Sequence, residues 1–512
     1  MKDAAGFRFI AFLGLTAGLA GLLFGFDIAI IAGAGPFLLG HFGLGDIALG
    51  WAYSSLLFGC IAGAAIAGRL ADTFGRRRIL LAVAALFALT SAATGLAPSF
   101  ALFIAARFLG GLAVGGASII APMYTAEVSP AALRGRMCAF YQLSITFGIL
   151  VSYCINYALH DVGPWNWRWM FMSGAIPAAV FIAMILRAPE TPRFLCRSGR
   201  RDEALALLSR ISGAARAAAE IAEIEASLAG RGASWRELRS PGLSRALLVG
   251  FVLAILVHCS GINTIIDYAP KIMESAGWGI DAALFSTFVI GITNFLFTLV
   301  SFWVIDRHGR RPLYIAGSLG MTAALAALTV VYATKPFEGM TTAGLETTGV
   351  VVLGLMMLFI AFFAACIGPV FWTLVPEIFP NRVRGIAMAV PVLTQWGANA
   401  VVVLFFPYAF NQIGKAPTFA FLGAMALAQA LFTWKFVPET KHKTLEEIEE
   451  QWSALADRVQ AGNREKNLDA VLFPEAPCAP LIDGPAGRET RGGGPRAGRP
   501  VDGVERRPEE RR

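Results

Sequence analysis

Residues 71–78 read ADTFGRRR, and residues 305–312 read IDRHGRRP. Both stretches carry an acid, a glycine and paired basic residues, and Gly75 and Gly309 lie 234 residues apart. Two more pairs follow in the same order at nearly the same spacing. AEVSPAALRG at 126–135 returns as PEIFPNRVRG at 376–385, with Glu127 and Glu377 separated by 250 residues. PETPR at 189–193 returns as PETKH at 438–442, with Pro189 and Pro438 separated by 249. Three ordered matches at similar offsets mark a duplicated structural unit.

The surroundings of these motifs say what the unit is. The chain has 512 residues, of which 56% are apolar and only 15% charged, with a mean hydropathy of +0.61. An average soluble domain carries about 25% charged residues, so this chain lacks the polar residues to clothe soluble domains of its size. A soluble enzyme, a disulfide scaffold and a disordered protein are all excluded, and a polytopic membrane protein remains. A bilayer core takes about 20 apolar residues per helix. Such runs fall near 9–35, 50–70, 79–97, 100–126, 138–159 and 168–187, and again near 245–269, 282–304, 312–332, 349–375, 385–410 and 417–437. The first run is too long for the apolar core of a signal peptide.

The expected organisation is therefore an N-terminal six-helix half at 1–187, a linker at 188–244 and a C-terminal six-helix half at 245–440. A helical region at 441–473 and a disordered tail at 474–512 follow. The linker holds EALALLSRIS and AEIAEIEASLAG, whose spacing predicts short amphipathic surface helices. The tail has seven prolines and seven glycines in its 39 residues, a disordered composition.

The net charge of +8 would suit nucleic acid, but its placement reads as membrane topology. Arg69, Arg76, Arg77, Arg78, Arg134, Arg136, Arg307, Arg310, Arg311, Arg382 and Arg384 fall on one side of the spans. Only Arg168, Lys271, Lys335 and Lys415 fall on the other. The arginine-rich side, both termini and the linker are expected in the cytoplasm, and no nucleic-acid partner is expected. The seven cysteines are scattered without metal or redox spacing, so no metal and no cofactor is expected. No phosphate-binding loop or nucleophile constellation is present, so the chain is not expected to be an enzyme.

Charged residues within spans are costly and by default functional. Asp27 in GLLFGFDIAIIAG and Arg107 in FIAARFLGG each lie eight residues from a predicted span end, at Gly35 and Ser99. At 1.5 Å per residue both are about 12 Å deep and can pair. A carboxylate whose pairing changes can take and lose a proton, whereas a static pair would be structural only. Amides and indoles inside the spans (Gln142, Asn156, Asn263, Asn294, Trp372, Gln395, Trp396 and Asn399) offer donors, acceptors and flat faces. The same groups also serve as helix–helix contacts and interfacial anchors. The repeated motifs place Asp72, Glu127, Asp306 and Glu377 among Arg76, Arg77, Arg134, Arg310, Arg311 and Arg384. That set is read as an inner gate of ion pairs rather than as ordinary surface bridging, because it is repeated.

These motifs carry a resemblance. GRLADTFGRRR, RFLGGLAVGGASIIAPMYTAEVSPAALRGRM, YQLSITFGI, PETPRFL, SGINTIIDYAP, DRHGRRPL, GPVFWTLVPEIFP, RGIAMAV and PETKHKTLEEIE span residues 20 to 450. The chain resembles the sugar porter family of the major facilitator superfamily, in particular its bacterial pentose and hexose proton symporters. The resemblance implies an all-α membrane fold of twelve helices in two halves, moving a monosaccharide or related polyhydroxylated solute with a proton. Proton-coupled members carry Asp at the place of Asp27, and facilitative members usually carry Asn. The resemblance assigns the sugar site to Gln142, Asn263, Asn294, Trp372, Gln395, Trp396 and Asn399, with Phe24 and Phe363 as apolar contacts. Gly368, which belongs to the expected substrate-binding set, and Pro369 would loosen the tenth helix so that it can bend as a gate. Two departures stand out. Val257 and His258 occupy positions where the family usually has two glutamines, and Asp267 and Tyr268 occupy positions where it has two tyrosines. Asp267 shares a helix face with Asn263, so Asp267 and His258 join the expected substrate-binding set, Asp267 as an acceptor for a sugar hydroxyl or as a second titratable group and His258 as a donor in place of glutamine. The alternative is that Asp267 faces the extracellular vestibule and His258 satisfies a local bond. Aldoses, polyols, sugar acids and amino sugars stay open as substrates. A uniporter is the alternative, and a sugar sensor acting through the tail is a distant one. A monomer is expected.

Overall fold

The computed structural model describes residues 4–130, 133–229, 236–334, 341–379 and 383–441. Twelve helical segments are long and apolar enough to cross a bilayer, which makes the chain a multi-pass membrane protein. In order, spans 1 to 6 are Arg8–Phe42, Asp46–Phe74, Arg76–Leu96, Phe100–Val128, Ala139–Leu159 and Asn166–Arg187. Spans 7 to 12 are Leu243–Asp267, Ile280–Ile305, Arg310–Thr334, Thr342–Glu377, Arg384–Ile413 and Lys415–Phe436. No strand occurs among the described residues. Large apolar side chains such as Leu89, Ile176, Trp303 and Trp434 face outward, as a lipid-facing surface requires.

The twelve expected runs match these spans, but several ends move outward. Span 1 continues through Pro36 to Phe42 instead of stopping near residue 35. Proline is tolerated inside a membrane helix when neighbouring helices and side chains satisfy the freed carbonyl. Asp27 consequently lies deeper within its helix than the eight residues expected. Between spans 6 and 7 run helices Pro192–Arg197, Arg201–Ser212 and Ala214–Ala229 and a 3-10 turn, Glu237–Arg239. Their apolar faces bury Ala204, Leu207, Leu208, Ile211, Ala217 and Ile221. Residues 442–512 lie outside the described residues, and with them the tail 474–512 and all but the first residue of the region 441–473.

Small residues let the helices meet backbone to backbone, as membrane packing favours. A Cβ at Gly25 would lie 1.9 Å from the Ile145 carbonyl oxygen of span 5, and one at Gly148 would lie 2.1 Å from that of Leu22. Gly25→Val is therefore expected to force spans 1 and 5 apart and to sharply reduce the folded fraction recovered in detergent. Size-exclusion chromatography checks this, and a variant that elutes like the parent would refute the close contact.

Candidate functional site

Two spans break at the middle of the C-terminal half. Span 7 consists of helix Pro241–Cys259 and a short helix Ile262–Asp267, joined at Gly261, which takes a left-handed conformation at φ 90°. Span 10 consists of helices Thr342–Cys366 and Gly368–Glu377, joined at Ile367. Pro369 sits in the first turn of the second piece, where its missing N–H is least costly. Broken helices of this kind expose polar groups at the middle of a membrane bundle. The break in span 10 follows from the Gly-Pro pair, whereas nothing in the sequence reading singled out Gly261.

A cavity lies against both breaks, with about 890 Å³ of empty space including its open mouth. Its wall takes Phe24 from span 1, Gln142 from span 5, His258 and Asn263 from span 7 and Asn294 from span 8. Phe363, Gly368 and Trp372 come from span 10, and Gln395 and Trp396 from span 11. Ten of the twelve residues expected to bind substrate thus meet at one place. The wall does not include the other two, Asp267 and Asn399, although both are buried. Asn156, another intramembrane amide, packs against Gly33 and is also absent from the wall. Thr146, Thr298 and several isoleucines also line it. Apolar and hydroxyl side chains carry no distinctive sequence signal inside a span, so they were missed.

The polar lining is neutral in character. Gln142, Asn263, Asn294 and Gln395 offer both donors and acceptors, and His258 adds an imidazole whose buried Nδ1 has no partner among the described residues. Phe24 meets Trp396 edge to face with ring centroids 5.5 Å apart, and Trp372 stands against Phe371 at 5.6 Å. Such rings offer the flat apolar face against which a pyranose or cyclic polyol can rest. Among the lining residues no Asp, Glu, Lys or Arg is present.

Asp27 and Arg107 form a buried ion pair beside this cavity, outside its wall. Arg107 Nη1 lies 2.6 Å from Asp27 Oδ1, and Nη2 and Nη1 also donate to the Asp27 carbonyl oxygen at 3.3 and 3.4 Å. Arg107 is 2% exposed and also lies over the Phe171 ring. Gly110 leaves room beside the second carboxylate oxygen, Oδ2, which a Cβ there would approach to 3.7 Å. The pair joins spans 1 and 4. Phe24, Gly25 and Ile28 reach the cavity from the same turns of span 1.

The repeated motifs build two matching knots at the arginine-rich end. In the first half, Arg76 pairs with Asp72 at 2.9 Å and Glu127 at 3.1 Å, while Glu190 accepts from the backbone N–H groups of Arg76 and Arg77. In the second half, Arg310 pairs with Glu377 at 3.0 Å, and Glu439 accepts from the N–H groups of Arg310 and Arg311. Each glutamate thus caps a helix N-terminus, where negative charge is favoured. Gly75 and Gly309 have φ of 97° and 87°, and a Cβ there would come within 2.4 and 2.8 Å of the capping carboxylates. Arg77 donates to the carbonyls of Ile185 and Leu186, Arg311 to that of Trp434, and Arg384 to that of Phe379. The side chains of Arg134 and Asp306 lie outside the described residues. These ion pairs each stay within one half.

The opposite end carries polar and aromatic contacts between the halves. Asp46 of span 2 accepts from Asn411 at 2.5 Å and Gln412 at 2.9 Å, and His160 meets Asp281 at 3.1 Å. Tyr53 of span 2 stacks on Tyr268 with centroids 4.2 Å apart, and Tyr153 of span 5 donates to the Ile266 carbonyl at 2.9 Å. Burial lowers Lys271 from the ordinary lysine range, opposed by Asp46 and Glu274, and raises Glu274, opposed by Lys271.

Residues 13–452 match the family model described as sugar (and other) transporter. The chain belongs to that family. Among its relatives, the arabinose-proton symporter of Bacillus subtilis (strain 168) is 35% identical over 451 residues, covering 87% of this chain and 95% of the relative. The D-xylose-proton symporter of Escherichia coli (strain K12) is 35% identical over 487 residues, covering 87% and 96%. A solved structure of the xylose transporter XylE from E. coli, in an inward open conformation, superposes with a TM-score of 0.75 at 34% identity, covering 86% of this chain and all of that one. Within this sugar transporter, sequence reading quoted Glu190 and Glu439 only as letters of PETPR and PETKH. Their capping role was available in the coincidence that PET and GRR are repeated together, since a helix starting at GRR needs an anion at its head.

Proposed function

We propose that this chain is a proton-coupled symporter that imports a neutral monosaccharide or related polyol by alternating access. The observation that carries this reading is a buried Asp27–Arg107 pair one helix face away from a cavity walled by amides and indoles. With Asp27 ionised, Arg107 holds span 1 to span 4. A proton on Asp27 weakens the pair and frees span 1, whose Phe24 and Ile28 line the cavity. Solute and proton thereby act on the same helix. Gln142, His258, Asn263, Asn294 and Gln395 hydrogen-bond the hydroxyls, and Trp372 and Trp396 pack on the apolar face. The halves rock about this site, with the tyrosine-rich end closed here and the knots at the arginine-rich end forming an inner gate when that end closes.

The arginine-rich end faces the cytoplasm, with both termini and the linker, in the inner membrane of a bacterium. The proton is the coupling ion, no cofactor takes part, and one chain suffices. The absence of a fixed charge in the cavity wall disfavours the sugar acids and amino sugars that the sequence left open, since a buried charge needs a partner. Competition for uptake into proteoliposomes tests the site. Neutral pentoses, hexoses or polyols compete, and uronic acids do not. Gln142→Ala leaves sugar hydroxyls unpaired and raises the half-saturation concentration about tenfold. Equal competition by uronic acids, or an unchanged Gln142→Ala, would count against the assignment.

A further inference from the structure

Asp267 is a carboxyl group without a stated job. It ends the short helix of span 7, is 2% exposed, and does not line the cavity. Its side chain makes no hydrogen bond or ion pair among the described residues, and Oδ1 is fully buried without a partner. It lies at the seam where the halves close. Ile266, just before it, accepts from Tyr153 of the other half, and Tyr268, just after it, stacks on Tyr53 of the other half. Tyr53, Tyr153 and Tyr268 are themselves 4% exposed or less. Among the described residues, Arg107 of span 4 is the cation whose charge acts on Asp267, but its hydrogen bonds go to Asp27 of span 1. The charged groups further along are Lys271 and Glu274 on the next helix, near Asp46 of span 2.

We infer that Asp267 is a second proton-binding carboxyl, which takes up a proton when the tyrosine-rich end closes and releases it when that end opens. A carboxylate buried without a hydrogen-bonded cation is far costlier than the neutral acid. Asp267 can be ionised only while water reaches the seam, so closing the seam puts a proton on its oxygen, drawn from water on that side. Opening returns the proton to the same water. Closure then consumes one proton independently of the one carried by Asp27, and acid on that side favours the closed seam. Asp267 acts on the conformational equilibrium and makes no contact with the solute.

The inference rests on the alternating-access reading, and one experiment separates the two. Spin labels are placed at Ile47 and Ile413, exposed positions near that end on opposite halves, with the seven native cysteines replaced. Their separation is measured by pulsed electron resonance between pH 5 and 8, with and without L-arabinose or D-xylose. The closed-to-open ratio is expected to rise on acidification by up to about tenfold per pH unit, the limit for one proton. Asp27→Asn keeps this dependence, Asp267→Asn loses it, and Asp267→Glu restores it. A pH-independent ratio in Asp27→Asn overturns the inference without any substitution at 267, and so does an undiminished slope in Asp267→Asn. A separation that responds to sugar but not to pH overturns this inference alone. One that never changes overturns the alternating-access reading with it.

Discussion

The Asp27→Asn carrier is expected to exchange sugar across a membrane and to lose the ability to concentrate it. Asparagine keeps the size and one acceptor of Asp27 beside Arg107, which lies 2.6 Å from the carboxylate, but it cannot take a proton. Moving one proton down about 100 mV releases about 2.3 kcal/mol, enough to support roughly a 40-fold sugar gradient. The wild-type protein in energised vesicles should approach that ratio. Asp27→Asn should stop at equal concentrations inside and out, while counterflow of labelled sugar continues. Retained accumulation in this variant would remove Asp27 from the coupling step.

Arg107→Met should be the more damaging change to the fold, and a second substitution should relieve it. Arg107 is fully enclosed and satisfies both the carboxylate and the carbonyl of Asp27. Breaking one side of a buried pair costs about 3–5 kcal/mol when the remaining charge stays uncompensated. Asp27 can shed that charge by protonation, so the loss should grow with pH. Removing the second charge as well, in Asp27→Asn/Arg107→Met, should restore much of the thermal stability. The two substitutions should therefore be non-additive by about 1 kcal/mol or more. Additive losses in a thermal unfolding series would mean that the pair is not coupled in this way.

The fold was legible because its signals are long and repeated. Twelve apolar runs and three duplicated motifs need no tertiary information, and only the helix ends were misplaced, where Pro36 in span 1 does not stop the helix. The cavity wall was legible where it uses residues that are unusual inside a bilayer: Gln142, Asn263, Asn294 and Gln395 all reach it. It was less legible where depth along a helix decides. Asp267 is one turn beyond Asn263, and a regular helix would place both on one face. The short helix Ile262–Asp267 does hold both, but Asp267 stands about 6 Å further toward the tyrosine-rich end, past the cavity wall and at the seam between the halves. Asn399 is likewise one turn beyond Gln395 and Trp396, deep in span 11 but clear of the wall. Glu190 and Glu439 were missed because their partners are backbone N–H groups more than a hundred residues away.

Proton movement driven by sugar tests the central claim most directly. Purified protein in lightly buffered proteoliposomes is given a panel of neutral pentoses, hexoses and polyols, and the external pH is followed. The account predicts that a transported compound alkalinises the medium in proportion to its uptake, and that Asp27→Asn abolishes the signal. Uptake of that compound with no proton movement would contradict the account and leave a facilitative uniporter in its place.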